Sequence, residues 1–145
     1  MAEKKRGEAL TIALVVVAII VVVGGIFLYL KYSGGSDDSV VRIFPSIKIS
    51  PGAEFKVEYH VNLNSSQGYY LFEDAVPKEI QVIDCQTDVN NKIKNVVIQG
   101  ATSRVYICTL KAPTNSGKYS FKGEYVLSNM KSPSKIKGES SIVVS

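Results

Sequence analysis

Residues that carry chemistry are scarce in this sequence: 145 residues contain a single histidine, His60, and only two cysteines, Cys85 and Cys108. Two cysteines and one histidine set far apart lack the paired ligand spacing of a zinc site, so no metal or cofactor is expected. With one histidine, and with the cysteines expected to pair, a histidine-based triad would have to recruit serines and aspartates that no motif marks. His60 itself falls on the polar face of its strand pattern, the place of a solvated surface residue. Glu73 and Asp74 are the one adjacent acidic pair in the strand-rich part of the chain. They read as a corner leading into Pro77, with the carboxylates capping backbone amides, in preference to calcium ligands. A glycosidase pair would need a cleft that a small sandwich seldom has. No catalytic residue is nominated, and the chain reads as non-enzymatic.

A basic stripe is missing as well. The formal net charge is +4, but Lys4, Lys5, Arg6 and Lys31 flank one apolar run, and the remainder interleaves both signs. Nucleic-acid binders show a basic patch on the folded domain, so a nucleic-acid partner is not expected. Charge here bears on solubility.

What is present begins with that apolar run. No charged residue occurs from Leu10 to Leu30, and a helix of about 21 residues is about 32 Å long, which matches the hydrocarbon core of a bilayer. A cleavable secretory signal has a shorter apolar region and a small-residue cleavage site, whereas this run ends in "IFLYLKY". Tyr29, Lys31 and Tyr32 stand where amphipathic side chains favour the interface. The basic cluster keeps the N-terminus cytoplasmic by the positive-inside rule, so the remainder is exported. The expected organisation is a cytoplasmic basic leader over residues 1–9, a single transmembrane helix over 10–32, a flexible linker over 33–39 and an extracytoplasmic domain over 40–145. The linker, "SGGSDDS", has a reach of roughly 15 Å, which keeps the domain close to the membrane.

From Val40 onward the pattern alternates with period two and is rich in β-branched and aromatic residues. In "EFKVEYHVNL", Phe55, Val57, Tyr59, Val61 and Leu63 share one face and Lys56, Glu58, His60 and Asn62 the other. "GKYSFKGEYVL" repeats the pattern, with Tyr119, Phe121, Tyr125 and Leu127 on one face. Further strands are expected over Val41 to Ile49, Gly68 to Phe72, Glu79 to Cys85, Ile93 to Gln99, Arg104 to Leu110 and Lys135 to Val144. Within "GYYLFED" the aromatics are expected as core on alternate positions. Eight short strands and no helix in this part imply an all-β antiparallel sandwich, with a small barrel as the alternative topology.

Cys85 and Cys108 lie in predicted strands of an exported domain, a disulfide-permissive setting. An intrachain bridge is expected, tying two strands or two sheets; free thiols and pairing between subunits are the alternatives. Asn64-Ser65-Ser66 fits the N-glycosylation acceptor pattern in a predicted loop.

Two resemblances add to this reading. Arg6-Gly7-Glu8-Ala9, directly before the apolar run, resembles the class III signal peptide of archaeal type IV pilins and archaellins. That likeness implies cleavage after Gly7 and a mature helix beginning at Glu8 that packs with its copies. The family's glutamate at the fifth mature position is Ile12 here. The stretch from Val40 to Ser145, through Pro51-Gly52, Asp74 to Pro77 and Ala112-Pro113 to Gly117, is similar to the immunoglobulin-like modules of archaeal and bacterial cell-surface proteins. Those motifs are turn chemistry, and they imply a fold and a surface location. The functional expectation is a membrane-anchored protein that meets lipid through Leu10 to Leu30. It would present an immunoglobulin-like sandwich to envelope or filament proteins, with self-association as a further possibility. A pilin-like filament subunit and a carbohydrate-binding surface module are the alternatives.

Overall fold

In the computed structural model, residues 38–64 and 68–145 are described. The Arg6 to Ala9 motif, the apolar run Leu10 to Leu30 and most of the expected linker lie outside the described residues. Ser36–Ser145 folds as a compact unit.

Among the described residues, twelve strands follow one another: β1 (Ser39–Ile43), β2 (Lys48–Ile49), β3 (Glu54–Asn62), β4 (Tyr70–Ala75), β5 (Gln81–Asp84), β6 (Lys92–Val97), β7 (Arg104–Lys111), β8 (Gly117–Ser120), β9 (Lys122–Leu127), β10 (Ser134–Lys135), β11 (Lys137–Gly138) and β12 (Ser141–Val144). They form a five-stranded sheet in the order β11-β1-β3-β7-β5, a four-stranded sheet β10-β9-β4-β6 and a three-stranded sheet β2-β12-β8. Pairing is antiparallel except for β1 with β11 and β12 with β2. The first two sheets pack face to face, as ring contacts across the core show. Tyr59 of β3 stacks on Phe72 of β4 at 5.0 Å, and Tyr106 of β7 meets the same ring edge-on at 5.5 Å. The fold is therefore an all-β sandwich.

Alternation explains the packing. Phe55, Val57, Tyr59 and Val61 of β3 are buried, while the residues between them stay half-buried or exposed. Tyr70 and Phe72 of β4 do the same across the core. The Pro51-Gly52 turn is closed by the Ala53 amide donating to the Ser50 carbonyl at 3.1 Å.

Three expected strands are in fact broken. Val41 to Ile49 divides into β1 and β2 around Pro45, which has no amide hydrogen to give a ladder. "GKYSFKGEYVL" changes sheets at Phe121: β8 pairs with β12, β9 with β4. The Phe121 amide donates to the Ser140 carbonyl at 2.7 Å, and its ring packs on Phe44 at 5.1 Å. Lys135 to Val144 resolves into three short strands, β10, β11 and β12. The expected linker also ends earlier than its composition suggests. Ser39 is buried and pairs with Asn62, so the domain starts one residue before Val40.

Candidate functional site

The most unusual feature of the core is a charge in an apolar slot. Val40, Arg42 and Phe44 share the inward face of β1 and its extension, and all three are buried. On the facing sheet, Asp74 follows Tyr70 and Phe72 in the inward positions of β4. The two meet as a fork: Arg42 Nε donates to Asp74 Oδ2 at 2.7 Å and Nη2 to Oδ1 at 2.5 Å. Their side chains are 1% and 0% exposed. Nη1 donates to the Glu139 carbonyl at 2.8 Å, and the Tyr59 hydroxyl donates to Asp74 Oδ2 at 2.7 Å. The guanidinium lies 5.6 Å from the centre of the Phe121 ring, a cation–π distance. Burial pushes the Tyr59 phenol well above its ordinary pKa, and the adjacent Asp74 carboxylate adds to the rise, so Tyr59 stays a neutral donor.

Two glycines make room for this network. Gly123 pairs with Asp74 in the β4–β9 register, and a Cβ there would lie 2.6 Å from Asp74 Oδ1 and 2.5 Å from Ile136 Cδ1. Gly138 sits at φ +87°, and a Cβ would come within 2.2 Å of the Arg42 carbonyl oxygen. Only glycine fits both the conformation and the space at Gly138. Among the described residues, every buried side-chain polar atom has a hydrogen-bond partner. A guanidinium engaged through each of its three nitrogens and a carboxylate accepting three bonds form a clamp between the sheets.

This contradicts the corner expected at Asp74. Strand β4 runs on to Ala75, so Asp74 is a strand residue turned inward and not a cap. Its neighbour Glu73 faces outward instead. Lys92 Nζ lies 3.0 Å from Glu73 Oε1 and Lys94 Nζ 3.6 Å from Oε2. The hydrogen bond to Glu73 raises the Lys92 pKa.

Beside this pair opens a hollow of about 690 Å³ that reaches Arg42 and is walled by Glu73, Lys92, Lys122, Glu124 and Lys135. A second, of about 520 Å³, is lined by Asp38, Asn64, Asn129, Lys135 and Lys137. His60 lies in neither. Its Nε2 stands 2.9 Å from Glu58 Oε2 on the outer face of β3. No group of three or more His, Cys, Asp or Glu side chains among the described residues is arranged to hold a metal ion.

Cys85 and Cys108 form a disulfide with Cα atoms 5.1 Å apart. It joins β7 to the segment leaving the neighbouring β5, and so ties two strands of one sheet. Asn64 is exposed, with its amide donating to Asp38 Oδ1 at 2.7 Å. Ser65 and Ser66 of its acceptor pattern lie outside the described residues. Sequence reasoning passed over Arg42, Tyr59, Gly123 and Gly138. The signal available was an arginine and an aspartate, each interrupting the apolar face of its own strand.

No protein-family model matches the chain, and no curated protein matches it in sequence. Solved structures do show its fold. A candidate membrane-anchored protein from Corynebacterium diphtheriae is similar with a TM-score of 0.52 at 12% identity, over 76% of this chain and 36% of that one. A chain of a type I cohesin–dockerin complex from Clostridium thermocellum is similar with a TM-score of 0.51 at 12% identity, over 73% of this chain and 99% of that one. This chain thus spans about a third of the Corynebacterium protein and nearly all of the cohesin–dockerin chain.

Proposed function

We propose that this chain is a non-enzymatic cell-surface protein, anchored by the apolar run Leu10 to Leu30, that presents an immunoglobulin-like sandwich outside the membrane to proteins of the envelope or of a surface filament. The observation that carries this reading is a small β-sandwich, stapled by a disulfide, in a chain whose sequence places an uncharged run of bilayer length before it. Its buried charges are spent on one another, which suits a display module better than a reactive one. The two structural neighbours fit the same setting, one being described as membrane anchored and the other belonging to a cohesin–dockerin complex.

The test is alkaline extraction of native membranes combined with labelling of intact cells by an impermeant reagent. Retention in the membrane pellet together with labelling of the lysines of residues 48–137 supports the reading. Release into the soluble fraction, or labelling only after lysis, overturns it.

A second reading, the pilin-like filament subunit, is favoured by Arg6-Gly7-Glu8-Ala9 alone. Intact mass of the native protein separates the two. A mass lacking Met1 to Gly7 makes the helix a polymer element, and a mass retaining Lys4 to Gly7 leaves the anchored module.

A further inference from the structure

Parity leaves a patterned outer face on the five-stranded sheet. The alternate residues of β1, β3 and β7 that fill the core leave Val41, Ile43, Glu58, His60, Val105 and Ile107 on the other side. The ladders set these six in two rows. Val41, His60 and Val105 lie side by side, and Ile43, Glu58 and Ile107 form the next row. Four β-branched side chains thus frame a polar centre, in which His60 Nε2 stands 2.9 Å from Glu58 Oε2. Ile107 is 57% exposed, Val105 48% and Ile43 38%, so the domain itself does not cover the frame.

Charge separates this face from the outer face of the opposite sheet. On the four-stranded sheet, one outer row reads Lys135, Glu124, Glu73 and Lys94, and the next reads Lys122, Ala75 and Lys92. Four cations outnumber two anions there, and two copies of that face repel one another. The outer positions of the five-stranded sheet carry Lys56, Lys111 and Lys137 against Glu54, Glu58 and Asp84. Three charges of each sign leave this face balanced, so it meets its own copy without that cost.

Its rows are also complementary to themselves. A two-fold axis lying between two such faces and crossing β3 at Tyr59 sets each row over the other row of the second copy. Each His60 then faces the partner's Glu58, Val41 faces the partner's Ile43, Val105 the partner's Ile107 and Lys56 the partner's Asn62. No carboxylate faces a carboxylate. The contact is isologous and closes at two copies, with the sheets stacked about 10 Å apart like the layers of a sandwich. Five strands at about 4.8 Å spacing and the nine residues of β3 bound a footprint of roughly 700 Å², close to the roughly 800 Å² per partner of a stable complex.

We propose that the outer face of the five-stranded sheet is the contact between two copies of this chain, centred on His60 and Glu58 and framed by Val41, Ile43, Val105 and Ile107. The proposal gives the displayed sandwich a partner. Its geometry stands on the sandwich alone, whether or not the chain is anchored.

Exchanging charges across the axis tests it. Full-length chains in detergent micelles are compared by sedimentation velocity: the native chain, a His60→Glu chain with two acids at the centre, and a Glu58→Lys, His60→Lys chain with two bases. The native chain is expected to form a dimer, and each variant alone to associate at least about tenfold more weakly, because like charges then face one another. Mixing the two variants should restore a dimer holding one copy of each. A native chain that stays monomeric at every concentration overturns the proposal and leaves the anchored reading untouched. A dimer that neither variant weakens is held by another part of the chain, which also overturns it. Two weakened variants that do not recover on mixing overturn the two-fold arrangement, since His60 then does not face the partner's Glu58.

Discussion

Strand β4 offers two carboxylates side by side, and the pleat sends them to opposite worlds. Glu73 points outward to Lys92 and Lys94, each partner about a third or more exposed. Asp74 points inward to Arg42 and Tyr59 with no exposure at all. In water the outer pair is screened and its side chains lose entropy when fixed, so such pairs are worth about 0–1 kcal/mol. The inner pair was costly to desolvate, and that cost is recovered only while every partner is in place. Removing one partner from a buried pair therefore costs about 3–5 kcal/mol. The lesson is that adjacency in sequence says nothing about energetic weight in a strand, whereas parity does.

The comparison breaks most sharply at Asp74. Asp74→Ala leaves the Arg42 guanidinium buried without its counter-charge, and urea unfolding of the variant should show a loss of about 3–5 kcal/mol. A loss below about 1 kcal/mol would mean the core admits water to Arg42 and that the clamp is not dry. Replacing the whole network by apolar groups, with Arg42→Met, Tyr59→Phe and Asp74→Leu together, should restore most of the lost stability, because no charge is then stranded. The disulfide comes next in size. Cys85 and Cys108 are 23 residues apart, and closing a loop of that length constrains the unfolded chain by about 3 kcal/mol. The paired Cys85→Ser and Cys108→Ser variant should thus melt lower by on the order of 15 °C.

Tyr59 sharpens the comparison by titration. Its phenol is held neutral by burial and by Asp74, and burial with the Tyr106 hydroxyl raises Tyr70 in the same way. In the unfolded chain both ionise near pH 10, so above that pH the unfolded state holds fewer protons than the folded one. The stability these groups contribute is complete below about pH 10 and falls as pH rises, by about 1.4 kcal/mol per unit for each tyrosine. Tyr59→Phe should cost about 1–2 kcal/mol at neutral pH, since it removes one bond to a charged acceptor. It should also make the alkaline limb of the stability curve shallower by about one proton. An unchanged alkaline slope would show that Tyr59 ionises without unfolding the sandwich.

The same parity governed what was legible in the sequence. Period-two alternation located β3, β4, β6 and β7 to within a few residues, because a strand buried on one face has no other way to be written. It missed the break at Phe121 for one reason. A strand that crosses from one sheet to another keeps its inward parity, so the pattern reads through the corner. The disulfide needed no geometry, since only two cysteines exist to pair. The clamp was harder. Arg42 and Asp74 each break an apolar face in plain view, but they lie 32 residues apart, and their meeting depends on how two sheets stack, which no local pattern encodes. Gly123 and Gly138 were silent for the same reason, being empty only because something distant fills the space.

The smallest effect completes the comparison. Glu73→Gln removes the charge that Lys92 and Lys94 share, yet both ammonium groups remain in water and keep their hydration. The variant should lose no more than about 0.5 kcal/mol, and that loss should vanish in high salt, where a surface pair is fully screened. Asp74→Ala should keep its full penalty in the same salt, because ions do not enter a dry core. Similar losses for the two variants, or a salt-sensitive Asp74→Ala, would mean that solvent reaches both faces of β4 and that burial does not separate the two carboxylates.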